Sequence, residues 1–573
     1  MASLRSVSLI AIAAASLALA GCGTGTKSDA SAAMNIPAVA PAKIDMAAYQ
    51  EDVKQLASDE FDGRAPGTKG EELTVAYLAK QFEAAGLKPG GTNGSWFQDV
   101  PLVQIEAKNV SPMTFTGAEA DTALKFKDDF VIGSYRVSPK TAIKDSDVVF
   151  VGYGINAPER GWNDYEGKDV KGKTVLILVN DPDYQTPGLE GEFGGRAMTY
   201  YGRWTYKYEE AARQGAAAAI IIHDTEPAAY GFNVVQSSWT GPQYMADAAD
   251  NHMNETQANG WISNDKAQKL IAGAGQDLAK LSEAAKKKGF KPVDLPIKMS
   301  VSFDNDIKKT MSKNVIGILP GTKRADEYVL YTGHWDHLGH CGEGVAPANK
   351  PGDVICNGAV DNATGTAGLI ALARANSATG AADRSQVFLA VTAEESGLLG
   401  SEYYAANPVY PLAKTVGGVN MDALSIAGPA KNIVVVGKGK SDLDAYLTAA
   451  VKEQGRTITA EPTPEKGFYY RSDHFSFAKL GVPMIYFEGG DDLVTGGKEA
   501  GAAFAKKFEE GHYHAPSDEY SLITNWDGIA QDLGLYYIVG RMIAMSDSWP
   551  NWVKGDEFRA VRDKSREGAD ATK

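Results

Sequence analysis

Alternating apolar strands and helices over the second half of the chain predict an α/β fold, a mostly parallel mixed sheet with helices on both faces. Three observations carry that expectation. Short β-branched runs recur from residue 314 onward, helical patterns separate them, and acidic or imidazole side chains follow three of the runs. The 573 residues are 44% hydrophobic and 23% charged, ordinary globular values that exclude disorder, collagen and coiled coil. Acidic residues outnumber Lys and Arg by 72 to 57, a formal charge of −15. With no basic block, the chain lacks the footprint that nucleic acid needs. Three cysteines are too few for a disulfide scaffold.

The N-terminus reads as an address. Arg5 is the only charged side chain before the small and apolar run Val7 to Ala20, which is shorter than the roughly 20 residues of a spanning helix. Leu19-Ala20-Gly21-Cys22 resembles a bacterial lipobox, which implies cleavage before Cys22 and acylation of its thiol. Gly23 after the Cys implies the outer membrane, with the body facing the periplasm or the cell surface. Residues 1–21 are thus expected to be a lipoprotein signal peptide. Residues 22–44, rich in Ala, Ser, Thr and Pro, are expected to be a flexible tether. No later run is long enough to span a bilayer, so lipid is the expected membrane contact.

Residues 45–145 open with helical spacing from Asp45 to Leu87, where Leu56, Leu73, Tyr77, Leu78 and Phe82 recur and Gly86 caps the end. Gly63-Arg64-Ala65-Pro66-Gly67 splits this stretch into two helices. From 146 to 295 the texture is β-rich, with strands at 148–154, 174–179 and 218–222 and a helix from Tyr208 to Gln214. One amphipathic helix is expected over 261–288. Residues 296–550 carry strands at 314–319, 328–332, 387–392, 415–421, 432–436 and 482–487. The helices there fall near 362–378, 442–453 and 525–545. Residues 551–573 read as a polar C-terminal tail.

In parallel sheets the functional groups sit past the carboxyl ends of the strands. His334 and Asp336 follow the strand at 328–332, Glu394 and Glu395 follow 387–392, and Asp422 follows 415–421. Asp361 opens the helix at 362–378, at its positive end. Tyr513 and His514 lie in a turn before the last helix, and six of the eight His fall between 334 and 514. Two imidazoles with three carboxylates suit Zn²⁺, and a bridging carboxylate lets such a set hold a pair of ions. A spare carboxylate beside them can act as a base.

These residues resemble the co-catalytic dizinc aminopeptidases, the metallopeptidase family that also holds glutamate carboxypeptidase and animal glutaminyl cyclase. The motifs are Gly-His334-Trp-Asp336, Gly-Ala-Val-Asp361-Asn, Glu394-Glu395, Asn-Met-Asp422 and Tyr513-His514. The resemblance implies one Zn²⁺ on His334, Asp361 and Asp422, and a second on Asp361, Glu395 and His514. It implies Asp336 as the residue orienting His334, Glu394 as general base, and Tyr513 as a donor to the tetrahedral oxyanion. Arg471-Ser-Asp-His474-Phe is similar to a family motif near the substrate. There Arg471 has two readings, as holding a substrate carbonyl or carboxylate and as a structural arginine paired with a carboxylate, and His474 is not a ligand. His337 and His340 are expected to be structural. Residues 56–68 are similar to the N-terminal helices of bacterial members, and residues 146–295 resemble a protease-associated domain inserted before the catalytic half.

The expected function is a zinc exopeptidase that cuts N-terminal residues from peptides. Carboxypeptidase or glutaminyl cyclase chemistry on the same site stays open, as does a non-catalytic surface receptor of this fold. One departure from compact members is the interval of 27 positions between His334 and Asp361, bracketed by Cys341 and Cys356. In an oxidising compartment these two can form a disulfide, two free thiols being the alternative.

Overall fold

Asp45 starts the first helix, Met46–Leu56, by accepting a hydrogen bond from Ala48 N at 3.1 Å. The computed structural model describes residues 34–117, 122–228, 230–341, 347 and 349–567; the signal segment and Cys22 lie outside them. Tyr49, Val53 and Leu56 form the buried stripe of this helix. Tyr49 donates to Thr364 O at 3.0 Å, and Asp52 receives both Tyr77 and Arg374, tying the N-terminal helices to the helix Gly365–Thr379. The second helix, Lys69–Ala84, ends before Gly86 at φ 87°.

Between them the chain turns sharply through Asp62, Gly63 and Arg64, all at positive φ. A Cβ on Gly63 would fall 2.6 Å from Gly339 Cα and from the Cys356 carbonyl, so only glycine fits there. The turn throws the Arg64 side chain inward, fully buried. Its guanidinium donates to Leu56 O and Asn357 O at 2.6 Å, Trp335 O at 2.8 Å and Gly358 O at 3.0 Å.

The sheet of the second half is centred on the strand Arg324–His334, parallel to Arg384–Val391 on one side and to Thr415–Asn420 on the other. Met484–Gly489 continues the parallel set, while Asn432–Val436 joins it antiparallel. Side chains alternate between the faces. Leu330 and Leu389 pack with Tyr404 and Phe477. On the opposite face Tyr331 stacks on Phe388 at 4.7 Å, where Gly540 of the helix Asp527–Met545 approaches closely. Helices therefore cover both faces.

The insert is built on four parallel strands, Lys140–Phe150, Thr174–Leu178, Ala218–Ile222 and Ala258–Ile262, with Phe130–Gly133 antiparallel at the edge. The helix expected over 261–288 is instead the end of a strand followed by two helices, Asn264–Gly273 and Leu278–Ala285. Trp261 and Ile262 are buried in the strand. Gly275 at φ 76° breaks the run, and Asp277 caps the second helix by accepting from Lys280 N at 3.2 Å. Met113 and Phe115 also join the insert's core, so its packing begins well before residue 146.

Val293–Leu319 is one strand of 27 residues that crosses the expected boundary at 295. It pairs antiparallel with Lys140–Phe150 near its start, with Phe97–Lys108 along its middle and with Arg384–Val391 at its end. The segment after 550 packs back as well. Trp552 donates to Gly481 O at 2.9 Å, Arg562 donates to Val416 O at 3.1 Å, and Phe558 is buried.

Arg64→Leu removes the donor of four buried carbonyls, each costing about 1–3 kcal/mol when left without a partner. The expected result is a loss of at least about 4 kcal/mol, read as a lower denaturant midpoint. A loss below about 1 kcal/mol would show that the guanidinium does not hold these segments.

Candidate metal centre

The strand Arg324–His334 delivers His334, fully buried, to the carboxyl edge of the sheet. Trp335 anchors the next step, its backbone N–H on Val391 O and its indole N–H on Lys313 O, both at 2.9 Å. The chain then turns Asp336 back toward His334. His334 Nδ1 lies 3.2 Å from the Asp336 carbonyl and 3.7 Å from its Oδ1, while the carboxylate accepts the backbone N–H groups of Glu394 and Glu395. Nδ1 is thereby turned to Asp336, and Nε2 faces the open side.

Nε2 of His334 meets three carboxylates: Asp422 Oδ1 at 3.2 Å, Asp361 Oδ1 at 3.3 Å and Glu394 Oε2 at 3.9 Å. The other oxygen of Asp361 lies 3.4 Å from His514 Nε2, which is 3.1 Å from Glu395 Oε2. Asp361 thus stands between two imidazoles with one oxygen toward each. Its backbone is fixed by Asp518, whose carboxylate accepts from Val360 N at 2.9 Å and Asp361 N at 3.1 Å. Asn362 knits the loops together, donating to Met421 O and accepting from Gly365 N and Ala423 N. Ala393, Ala423 and His514, each beside or at one of these side chains, all sit at positive φ, a strained backbone that clusters at functional sites.

The electrostatics lean strongly negative. Burial opposes a charged His334, yet Glu394 and Asp422, with the hydrogen bonds of Asp336 and Asp361, outweigh it and hold the ring well above its usual range. Burial likewise works against a charged His514, and Glu395 and Asp361 lift it to about 10. Burial pushes Glu394 well above the usual carboxylate range, with His334 opposing and Asp422 adding to the rise. Such a cluster is short of positive charge. His514 Nε2 and His337 Nε2 are buried with no hydrogen-bond partner. Two triplets, His334–Glu394–Asp422 and His334–Asp361–Glu395, bring their donor atoms within 4.8 Å of one another. Nitrogen and carboxylate donors in this number fit a pair of divalent cations such as Zn²⁺. A third triplet, Asp59–Asp353–Glu519, surrounds the Lys350 ammonium, which lies 2.8 Å from Asp59 and 3.1 Å from Glu519.

The structure therefore gathers His334, Asp336, Asp361, Glu394, Glu395, Asp422 and His514 at one edge. Tyr513 is 39% exposed, and its ring stacks on His514 at 3.9 Å. Arg471 is exposed, its guanidinium 5.1 Å above the Phe468 ring. Cys341 and Cys356 are joined as a disulfide with Cα atoms 5.8 Å apart. His337, expected to be structural, lies in the centre, with Nδ1 2.5 Å from Glu395 Oε1. His340 is outside it, on Asp62 at 2.6 Å. His474 is buried among aromatic rings without a partner for either nitrogen, and burial pulls it down to about 3. Sequence reasoning missed Ser472, which donates to Asp422 Oδ2 at 2.7 Å and accepts from Asn420 Nδ2 at 2.8 Å. Its place beside Arg471 was the one available signal.

Residues 314–532 match the model of peptidase family M28. The aminopeptidase NAALADL1 of Mus musculus and that of Rattus norvegicus are each 29% identical over 180 residues, 30% of this chain and 21% of theirs. The chain thus spans about a fifth of the length of the curated relatives it matches. Among solved structures, an aminopeptidase from Aneurinibacillus sp. strain AM-1 is similar with a TM-score of 0.45 and 20% identity, covering 88% of this chain and 94% of that one. BSAP, a zinc aminopeptidase from Bacillus subtilis, gives 0.41 and 17%, covering 87% and 95%. Residues 314–532, the stretch that matches the model of peptidase family M28, hold every candidate ligand from His334 to His514.

Proposed function

We propose that this chain is a zinc-dependent exopeptidase that removes N-terminal residues from peptides. The observation that carries the reading is Asp361, whose two oxygens face His334 and His514 at 3.3 and 3.4 Å. One ion would be held by His334, Asp361 and Asp422, and the other by Asp361, Glu395 and His514. When bound, the pair supplies Lewis-acid polarisation of the scissile carbonyl and of the attacking water.

The chain's own residues do the rest. Glu394, kept protonatable by its buried surroundings, takes the proton from the attacking water and returns it to the leaving amine. Asp336 holds the His334 ring in one orientation through Nδ1. Ser472 fixes the Asp422 carboxylate, and Tyr513 offers its hydroxyl to the tetrahedral oxyanion. Attachment to the outer membrane through an acylated Cys22 belongs to the same proposal and rests on the Leu-Ala-Gly-Cys sequence. Among the described residues no helix is long and apolar enough to cross a membrane.

Glu394→Gln is expected to lower kcat/KM by about 10²- to 10⁴-fold while the metal content by plasma mass spectrometry stays at the wild-type value. Activity within tenfold of wild type would remove Glu394 from the role of base. Asp361→Asn, by contrast, is expected to lose more than one of two zinc ions per chain; retention of both would show that this carboxylate does not bridge. Incubated with defined peptides, the protein is expected to give ladders shortened from the amino end that a chelator abolishes. Shortening from the carboxyl end, or N-terminal Gln closing with loss of ammonia, would replace the aminopeptidase reading. No product from any peptide would favour a binding protein.

A further inference from the structure

Glu395 is met by an imidazole at each oxygen of its carboxylate, and the two contacts differ in kind. His514 Nε2 stands 3.1 Å from Oε2, while His337 Nδ1 stands 2.5 Å from Oε1. Two donors around one four-coordinate Zn²⁺, each at its usual bond length, are roughly 3.3 Å apart. The contacts of His334 with Asp422 and Asp361, and of His514 with Asp361 and Glu395, run from 3.1 to 3.4 Å and have that spacing. The His337 contact is too short to hold an ion between its two atoms and closes as a direct hydrogen bond. An ionised carboxylate only accepts, so Nδ1 carries the hydrogen.

The ring that makes this bond is itself fixed by main chain. It is buried, and it lies so close on Gly358 that a Cβ there would fall 2.5 Å from its Cγ and 2.6 Å from its Cδ2. Gly358 sits at φ 52°, and its carbonyl accepts from Arg64 at 3.0 Å. The His514 ring meets His337 edge-on, with centroids 5.8 Å apart. Nε2 of His337 is buried without a hydrogen-bond partner, so among the described residues Glu395 is the one group that the imidazole hydrogen-bonds. Asp422 is treated in the same way. Its Oδ1 faces His334 at 3.2 Å, and its Oδ2 is taken by the Ser472 hydroxyl at 2.7 Å. Asp361, with one oxygen toward each of His334 and His514, is the carboxylate left free at both ends.

Resting on the two-cation reading above, we propose that His337 is a positioning residue that keeps Glu395 a one-oxygen ligand, and that it thereby gives the second cation position its preference for zinc over manganese. With Oε1 engaged by Nδ1, Oε2 alone faces His514. A carboxylate free at both oxygens can chelate, which raises the coordination number toward the six or more that oxygen-favouring cations take. A carboxylate tied at one oxygen suits four-coordinate Zn²⁺. An outer partner that orients a ligand in this way is worth about 10- to 100-fold in metal affinity. The ring acts through Glu395 and is not itself a ligand.

The test equilibrates wild type, His337→Ala and His337→Asn with Zn²⁺ and, separately, with Mn²⁺ against a competing chelator. Bound metal per chain is read by plasma mass spectrometry. In His337→Ala one zinc ion is expected to stay at wild-type affinity and the other to weaken by about 10- to 100-fold. The zinc-over-manganese ratio at that weakened position is expected to fall by about tenfold or more. Asn places an amide N–H where Nδ1 stands and is expected to restore most of both. Cobalt-loaded His337→Asn is expected to keep the visible absorption of cobalt-loaded wild type; a changed spectrum would make the ring a ligand and overturn the proposal. Unchanged zinc affinity in His337→Ala, loss of both ions together, equal weakening of zinc and manganese, or an Asn variant as weak as Ala overturns it too. Wild type that holds two ions and cleaves no peptide removes the exopeptidase reading alone. Two ions, cleavage and three proteins alike in metal binding remove this proposal alone, and a wild type holding fewer than two ions removes both.

Discussion

The fully buried guanidinium of Arg64 joins parts of the chain that lie almost 300 residues apart. It holds the end of the first helix, the step after His334 and the approach to Asp361 in one set of hydrogen bonds. Its counter-partners are carbonyl oxygens. Asp336, Asp361, Asp518 and Glu395 act on it only at a distance, offsetting part of the burial that brings its pKa down to about 10. That choice of partner matters, because a carboxylate engaged by arginine is no longer free to hold a metal. The centre keeps its acidic groups for ligands and still has a fixed cation behind them.

Much of this arrangement was legible from the residue order. The apolar runs at 328–332, 387–392 and 415–421 each lead into a chemically active side chain, and a parallel sheet places such ends on one edge. The structure gathers His334, Asp361, Glu395, Asp422 and His514 there. What escaped depended on contacts between distant segments. His337 carries no periodic signal, and only the return of Glu395 past it shows its place. Arg64 read as part of a helix break because nothing local reveals the four carbonyls that it meets. The expected helix over 261–288 was a failure of another kind, since Trp261 and Ile262 fit a helical stripe as well as a buried strand. The pairing with Ala218–Ile222 decides between them. The packing of Met113 and Phe115 has no local signal either, because their strand pairs near Met299, far along the chain.

Ser472 and Arg471 are neighbours in sequence with different surroundings. One side chain hydrogen-bonds a candidate ligand, and its exposed neighbour lays its guanidinium over the Phe468 ring. The short turn Phe468–Tyr470 and the helix His474–Lys479 hold both on rigid backbone, where small displacements of either are resisted by aromatic packing around Tyr469 and Phe475.

The strand Val293–Leu319 has a mechanical meaning. A single length of backbone is laddered to the insert at one end and, at the other, to the strand that leads into Glu394. Swinging the insert away as a hinged flap would have to unzip that ladder, so the two halves behave as jaws cast in one piece. The placement of the insert is thereby written into the main chain itself, in peptide-to-peptide hydrogen bonds that no change of side chain can remove.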